Sequence, residues 1–306
     1  MNYGHMIKEI GRGAKGARSL DAEAAESLFG DMLDGKVPDL ELGAVIIALR
    51  IKSESLAELI GFKRAMDARC AQVQVPDDSS HCVILPTYNG ARRQANLMPL
   101  LALMLAKRGV PVLIQGRHDF ESRTSPFELL AALGIHPAAD IADASVQLRQ
   151  ARLACIGVDK LLLGLDTLLS LRLRFGVRGS AHTMAKLIDP CLGHSVRVVA
   201  VTHPEYLERM HDFLLADGGH AMLLRGTEGE AFANPRRCPR MEVFADGIAS
   251  EAWAAEEGGA PPLAGLPDVP GVEDNAALIS AMLNGETPIP EPLFRQVEAL
   301  ERLARA

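Results

Sequence analysis

The stretch VILPTYNGARRQAN, residues 83–96, decides how the chain is read. It opens as a short, wholly apolar run, the pattern of a strand buried on both faces. It then leads into LMPLLALMLAKRG, residues 97–109, where apolar residues recur at helical spacing. A strand that turns into a helix is where α/β proteins commonly hold a phosphate, because backbone N–H groups and the helix dipole converge there. This turn has a single glycine, Gly90, and two arginines follow it, Arg92 and Arg93. The spacing predicts an anion site at the helix start, poor in glycine and supplied with side-chain cations. The alternative is an ordinary loop with two solvated arginines.

The same alternation continues downstream. VPVLIQG (110–116), ARLACIG (151–157), VRVVAVT (196–202) and HAMLLRG (220–226) read as strands. SPFELLAALG (125–134) and PEYLERMHDFLLADG (204–218) read as helices, the first with Ser125 as cap and Pro126 at its first position. Upstream the period is helical throughout. LDAEAAESLFGDMLDG ends on Gly35, PDLELGAVIIALRIK opens on Pro38, and SLAELIGFKRAMDAR follows a cap at Ser53 or Ser55. The fold class is therefore α/β: an N-terminal helical bundle plus a larger α/β domain with a mainly parallel sheet. The expected domains are 1–75 for the bundle, joined by helices from 159–190, and 76–306 for the α/β domain with an acidic C-terminal segment. Residues 254–274 read as a Gly-, Pro- and acid-rich linker, and 275–284 and 291–305 as closing helices.

Composition narrows the function. Apolar residues make up 48% of the 306, enough for a sizeable core. No apolar run approaches the ~18 residues that span a bilayer, and the N-terminal stretch lacks an apolar core of signal-peptide type. Five cysteines at 70, 82, 155, 191 and 238 form no C-x-x-C pair, which predicts free thiols, no zinc and a cytoplasmic protein. The net charge of −7 is unevenly spread. Residues 241–306 hold 3 basic against 12 acidic residues, whereas 86–123 hold six against two and 149–190 seven against three. Local charge, not the total, governs binding to a polyanion.

The order of these strings resembles the anthranilate phosphoribosyltransferase family. IIALRIKSESLAELIGFKRAM (46–66) is similar to that family's ALRMKGET segment, LRLRFGVRGSAHTMAKLIDP (171–190) to its VRxxLGxRTIFN segment, and GTEG (226–229) to its G-x-D-G turn. The resemblance implies the fold directly. It also shows which catalytic parts are missing. The family's glycine-rich diphosphate turn, GTGGD, is PTYNG here, with Pro86 and Tyr88; of the TFN that follows, Asn96 remains. Ile114 stands for the lysine of KHGN, and Ala231 and Phe232 for the acidic pair that holds magnesium. Glu228 and Glu230 lie beside that turn and read as solvated surface. Arg172 matches the arginine that contacts anthranilate. PTYNGARRQANL, FGVRGSAHTMAKL and RGTEGEAFANPRRCP together are similar to a separate branch, the TrpD-like nucleic-acid-binding proteins. That likeness implies a homodimer that binds DNA or RNA without sequence preference. It implies no catalytic residue, no metal and no cofactor.

The cations expected to meet phosphate are Arg92 and Arg93 in the turn, and Arg172, Arg174, Arg178 and Lys186 in the insertion, with Arg174 and Arg178 four apart on one helix face. Arg236 and Arg237 in NPRRCPR, and Lys8 and Lys15 near the N-terminus, complete the set. They are expected to line a basic groove of the homodimer. Aromatics are only 4% of the chain, so binding is expected to rest on phosphate contacts rather than base stacking. The alternatives are a phosphoribosyltransferase- or nucleoside-phosphorylase-like enzyme with another substrate, and a regulator that binds a small phosphorylated ligand.

Overall fold

The computed structural model describes residues 2–13, 15–77, 80–118, 122–260, 262, 265 and 271–306. The chain forms two compact units, one of Met1–Ala71 with Val158–Pro190 and one of Gln72–Gly157 with Cys191–Ala306.

The first unit is helical. It holds α1 (Tyr3–Ile10), α2 (Ala22–Leu33), α3 (Asp39–Lys52) and α4 (Leu56–Asp67). The returning segment adds α8 (Val158–Leu161), α9 (Leu163–Ser170), α10 (Arg172–Phe175) and α11 (Ser180–Met184). Helix α4 starts at a capping box: Ser55 receives the Glu58 N–H, and Glu58 receives the Ser55 N–H. The buried Glu58 also takes the Leu20 N–H at 3.0 Å and Lys52 Nζ at 2.6 Å, so one carboxylate ties three segments together. Helices α2 and α4 pack closely, with the Phe29 and Phe62 rings stacked at 4.5 Å. Gly61 permits this approach, since a Cβ there would run into the Ala22 carbonyl.

The second unit is built on a seven-stranded sheet of order β3-β2-β1-β4-β5-β6-β7. Its strands are β1 (Cys82–Thr87), β2 (Val112–Gly116), β3 (Leu153–Gly157), β4 (Ser195–Val201), β5 (His220–Arg225), β6 (Met241–Ala245) and β7 (Ile248–Trp253). The first five run parallel, and β6 and β7 form an antiparallel hairpin on the edge. Helices α5 (Met98–Lys107), α6 (Pro126–Ala132), α7 (Ile141–Ala151), α12 (Pro204–Asp217), α13 (Val272–Leu283) and α14 (Glu291–Ala304) complete the unit. Val83, Val112 and Val196 of neighbouring strands pack in one core with Leu100 and Leu101 of α5 and Val297 and Leu300 of α14. Every residue of β1 is buried, as its apolar run predicts. Pro86 is tolerated inside it because β1 pairs with β4 only through Cys82, Val83 and Ile84. Strand order reverses between β1 and β4, the place where open α/β sheets bind ligands at the strand C-termini. The fold class and the mainly parallel sheet agree with the sequence pattern; the hairpin and α7 are additions to it. Of the expected 254–274 linker, residues 261, 263–264 and 266–270 lie outside the described residues. All five cysteines are free and buried, and burial pushes the Cys155 thiol up to about 12.

At the opposite, N-terminal edge of the sheet, His81 and His194 stand just before β1 and β4, and His220 begins β5. The His81 ring lies 4.5 Å from His220 and 6.4 Å from His194. Burial and the neighbouring His81 hold the His220 imidazole below its ordinary value near 6.5, against a smaller opposite pull from Asp246. The unfolded chain thus takes up a proton at higher pH than the folded one. This contribution is fully present above pH 6.5 and is lost as pH falls toward the folded value. The denaturant midpoint should therefore drop between about pH 7.5 and pH 5.5, and His220→Asn should reduce that drop. An identical pH dependence in both proteins would exclude this histidine as a source.

Candidate functional site: the turn after strand β1

The site lies wholly in the second unit. Two short segments make it: residues 86–96, which leave β1, and residues 226–233, which leave β5.

The first segment is pinned at its middle. Ala91 and Thr124 exchange backbone hydrogen bonds of 3.0 and 2.8 Å. Gly90 sits at φ +64, and a Cβ there would lie 2.9 Å from the Thr124 carbonyl oxygen, so only glycine fits. Asn96 donates to the same carbonyl at 3.0 Å and accepts the Met98 N–H at 3.2 Å. Helix α5 begins only at Met98, so Arg92 and Arg93 stand ahead of it in irregular chain, not at the helix start that the sequence predicted. Tyr88 donates its hydroxyl to Gln115 at 2.5 Å, the residue next to the Ile114 that replaces the family's lysine.

The second segment is a tight turn. Glu228 is at φ +52 and Gly229 at φ +90, and the Glu230 N–H closes on the Thr227 carbonyl at 2.9 Å. This turn sends the Glu230 side chain under the first segment, where the residue is fully buried. Its Oε1 accepts the N–H of Asn89 at 3.0 Å, of Gly90 at 3.1 Å and, more weakly, of Tyr88 at 3.4 Å. Its Oε2 receives the Thr87 hydroxyl at 2.6 Å. Burial pushes the Glu230 carboxyl above its ordinary range, and these four donors pull against that shift. Glu228 does the same one step on: its Oε1 accepts the N–H of Arg93 at 2.8 Å and of Arg92 at 3.1 Å.

Two expectations are corrected here. Glu230 is fully buried and Glu228 half-buried, and both accept backbone N–H groups of the turn. At Glu230 the acceptor is required, because a buried N–H left without one costs about 1–3 kcal/mol. The turn's N–H groups, expected to face an external anion, are already taken. Sequence offered one signal for this: two acids spaced around Gly229 and running straight into the apolar AFA. Ala231 and Phe232, at the positions of the magnesium pair, are wholly buried in the apolar core. Among the described residues no group of three or more His, Cys, Asp or Glu is placed to hold a metal.

The predicted cations fall on both units. In the second, Arg92 and Arg93 are exposed, and neither side chain makes an ion pair or hydrogen bond among the described residues. Arg236 and Arg237 are half-buried, and Arg237 donates to the Gly258 carbonyl. Arg240 beside them pairs with Glu242 and Glu251. In the first, Arg174 and Arg178 are exposed, Arg172 and Lys186 half-buried, and Lys8 and Lys15 exposed. Arg174 and Arg178 do not share a helix face. Helix α10 stops at Phe175, where Gly176 at φ +70 closes it on the Arg172 carbonyl, and Arg178 lies beyond.

Residues 5–70 match the family described as "Glycosyl transferase family, helical bundle domain". The chain is 40% identical over 298 residues to the uncharacterized protein YbiB of Escherichia coli K12, covering 97% of this chain and 92% of that one. It is 27% identical to an anthranilate phosphoribosyltransferase of Beijerinckia indica, over 88% of this chain and 78% of the enzyme. In structure it is similar to anthranilate phosphoribosyltransferase from Thermus thermophilus, with TM-score 0.76 and 22% identity over 99% of this chain and 88% of that one. The Saccharomyces cerevisiae enzyme in complex with PRPP and Mg gives 0.74 and 13%, over 98% and 88%. The chain belongs to the family of YbiB, and its fold is that of the anthranilate phosphoribosyltransferases.

Replacing Glu230 by alanine strands the Asn89 and Gly90 donors and the Thr87 hydroxyl in a buried site. Glu230→Ala should cost roughly 3 kcal/mol or more of unfolding free energy, at about 1–3 kcal/mol for each stranded group. Urea unfolding of the two proteins side by side reads this out. A loss below about 1 kcal/mol would mean that water satisfies the turn as well as the carboxyl group does.

Proposed function

We propose that this YbiB-family chain binds the phosphate backbone of nucleic acid without base preference, as a homodimer, and does not transfer a phosphoribosyl group. The observation that carries this reading is the state of the turn after β1. Its backbone donors are closed by Glu228 and Glu230, while the side chains of Arg92 and Arg93 stand exposed on the same short segment. A turn built to grip one diphosphate presents its N–H groups. This one presents two side-chain cations on a backbone fixed by carboxyl groups, which suits a repeating external anion. Exposed Arg174, Arg178, Lys8 and Lys15 extend the cationic surface of the helical unit. Arg236, Arg237, Arg172 and Lys186 are weaker candidates, being half-buried.

Against phosphoribosyl transfer stand the occupied donors and the apolar pair Ala231 and Phe232. Electrostatic stabilisation of the leaving diphosphate would have neither its backbone cradle nor a metal held by those two residues.

Support for the homodimer comes from α3. Leu40, Ile47 and Ile51 are exposed, at 83%, 36% and 63%. The apolar side chains of α4 are mostly consumed inside the bundle: Leu59, Phe62, Ala65 and Met66 are buried. A second copy seated on the α3 stripe would cover what one chain leaves bare. Light scattering should give twice the 32.9 kDa chain mass, and Ile51→Glu should return it to one.

The binding test is a salt titration on two unrelated oligonucleotides. Each phosphate neutralised on duplex DNA contributes roughly −0.9 to the slope of log K against log salt. Arg92→Ala with Arg93→Ala should weaken binding to both sequences about equally and flatten the slope by about 2. An unchanged slope moves the contact elsewhere, and a loss on one sequence alone means base readout. Magnesium-dependent turnover of phosphoribosyl diphosphate with anthranilate would instead support the enzyme reading.

A further inference from the structure

We propose that the Glu228–Gly229–Glu230 segment is a built-in occupant of an anion site, its two carboxyl groups standing where two linked oxyanions would otherwise sit. This holds whether or not the chain binds nucleic acid.

The donor side is two runs separated by Ala91, whose N–H goes to the Thr124 carbonyl. Thr87 Oγ1 and the N–H groups of Tyr88, Asn89 and Gly90 converge on one carboxyl group, and those of Arg92 and Arg93 converge on one oxygen of the next. Successive backbone N–H groups turned inward form a concave nest for negative charge. Gly90 at φ +64 allows the concavity. The acceptor side is shaped to fit. Glu228 holds a left-handed φ of +52, and Gly229 at φ +90 presses so close to Asn89 that a Cβ would strike its Nδ2. Asn89 Nδ2 in turn donates to the Glu228 carbonyl at 3.3 Å. The contact is therefore a fitted joint between two turns, one of them strained at Glu228, rather than two chance hydrogen bonds.

A tethered occupant has a large advantage over a free one. Its effective concentration is set by the chain and needs no translational entropy on closing. A free phosphate or diphosphate at millimolar concentration cannot displace it. The site is closed in the wild-type chain and is opened by removing the carboxyl groups.

The test follows the thermal midpoint of the full chain against added anion, with sodium chloride matching ionic strength. The probes are formate and orthophosphate for Glu230→Ala, and inorganic pyrophosphate for Glu228→Gly combined with Glu230→Ala. Glycine at 228 keeps the left-handed backbone free of strain. Each variant should melt below wild type in chloride. Each should then regain roughly 5 °C near a hundredfold excess over its dissociation constant, the rise growing with the logarithm of anion concentration. Wild type should rise by less than about 1 °C under the same conditions. An equal rise in wild type, or no rise above the chloride control in either variant, overturns the proposal. Amide exchange on wild type serves if a variant does not fold. The Asn89, Gly90, Arg92 and Arg93 amides should exchange roughly a hundredfold or more slower than a free loop, and exchange at loop rates overturns the proposal as well.

Discussion

A carboxyl group in a dry interior and a row of inward-facing N–H groups are each costly alone, and in this chain each removes the other's cost. Glu230 loses all contact with water, which is tolerable only because Thr87, Tyr88, Asn89 and Gly90 surround it with donors. Those donors are themselves buried at the end of a central strand with no sheet partner left to use. Much of the local structure is arranged around this contact. Gly90 and Gly229 supply the backbone angles, the Ala91–Thr124 bridge holds one side in place, and Tyr88 folds away onto Gln115. The outward disposition of Arg92 and Arg93 follows from the neighbouring Glu228, which takes their backbone groups and leaves their side chains to solvent.

Charge in the C-terminal segment, residues 241–306, is taken up in a similar way. Several of the twelve acidic residues of 241–306 have local partners. Glu256 accepts the Cys238 N–H and pairs with Arg295, and Glu242 and Glu251 hold Arg240. Arg240 and the Cys238 N–H of the basic strip at 236–240 are thereby held within their own unit. A fold shared with transferases does not decide chemistry; the side chains on its loops do.

Legibility in the sequence tracked locality. The period of apolar residues, the Ser55 and Ser125 caps and the alternation of strands with helices are short-range properties, and the architecture follows from them. The β6–β7 hairpin escaped notice because its strands are only partly buried and carry charge, so no clean alternation stands out. The shared face of Arg174 and Arg178 failed at Gly176, a helix stop that spacing alone overlooks. Most of all, the partner of the β1 turn lies more than a hundred residues away. Two acids beside a glycine turn read as surface, because pairing across that distance is a property of the closed sheet and not of either segment.

The joint between the two turns also bears on how such a chain could change over time. Suppose a lineage with this arrangement were to acquire a glycine-rich diphosphate cradle. Losing Glu230 first leaves buried donors bare. Restoring acids first at Ala231 and Phe232 puts charge into the apolar core, where both positions are wholly buried. Removing Tyr88 first unlatches Gln115, itself without solvent access. Each opening step passes through a less stable protein before any of them yields a working pocket. The carboxyl group in the turn thus acts as a ratchet: each single change toward such a cradle is opposed by folding stability itself.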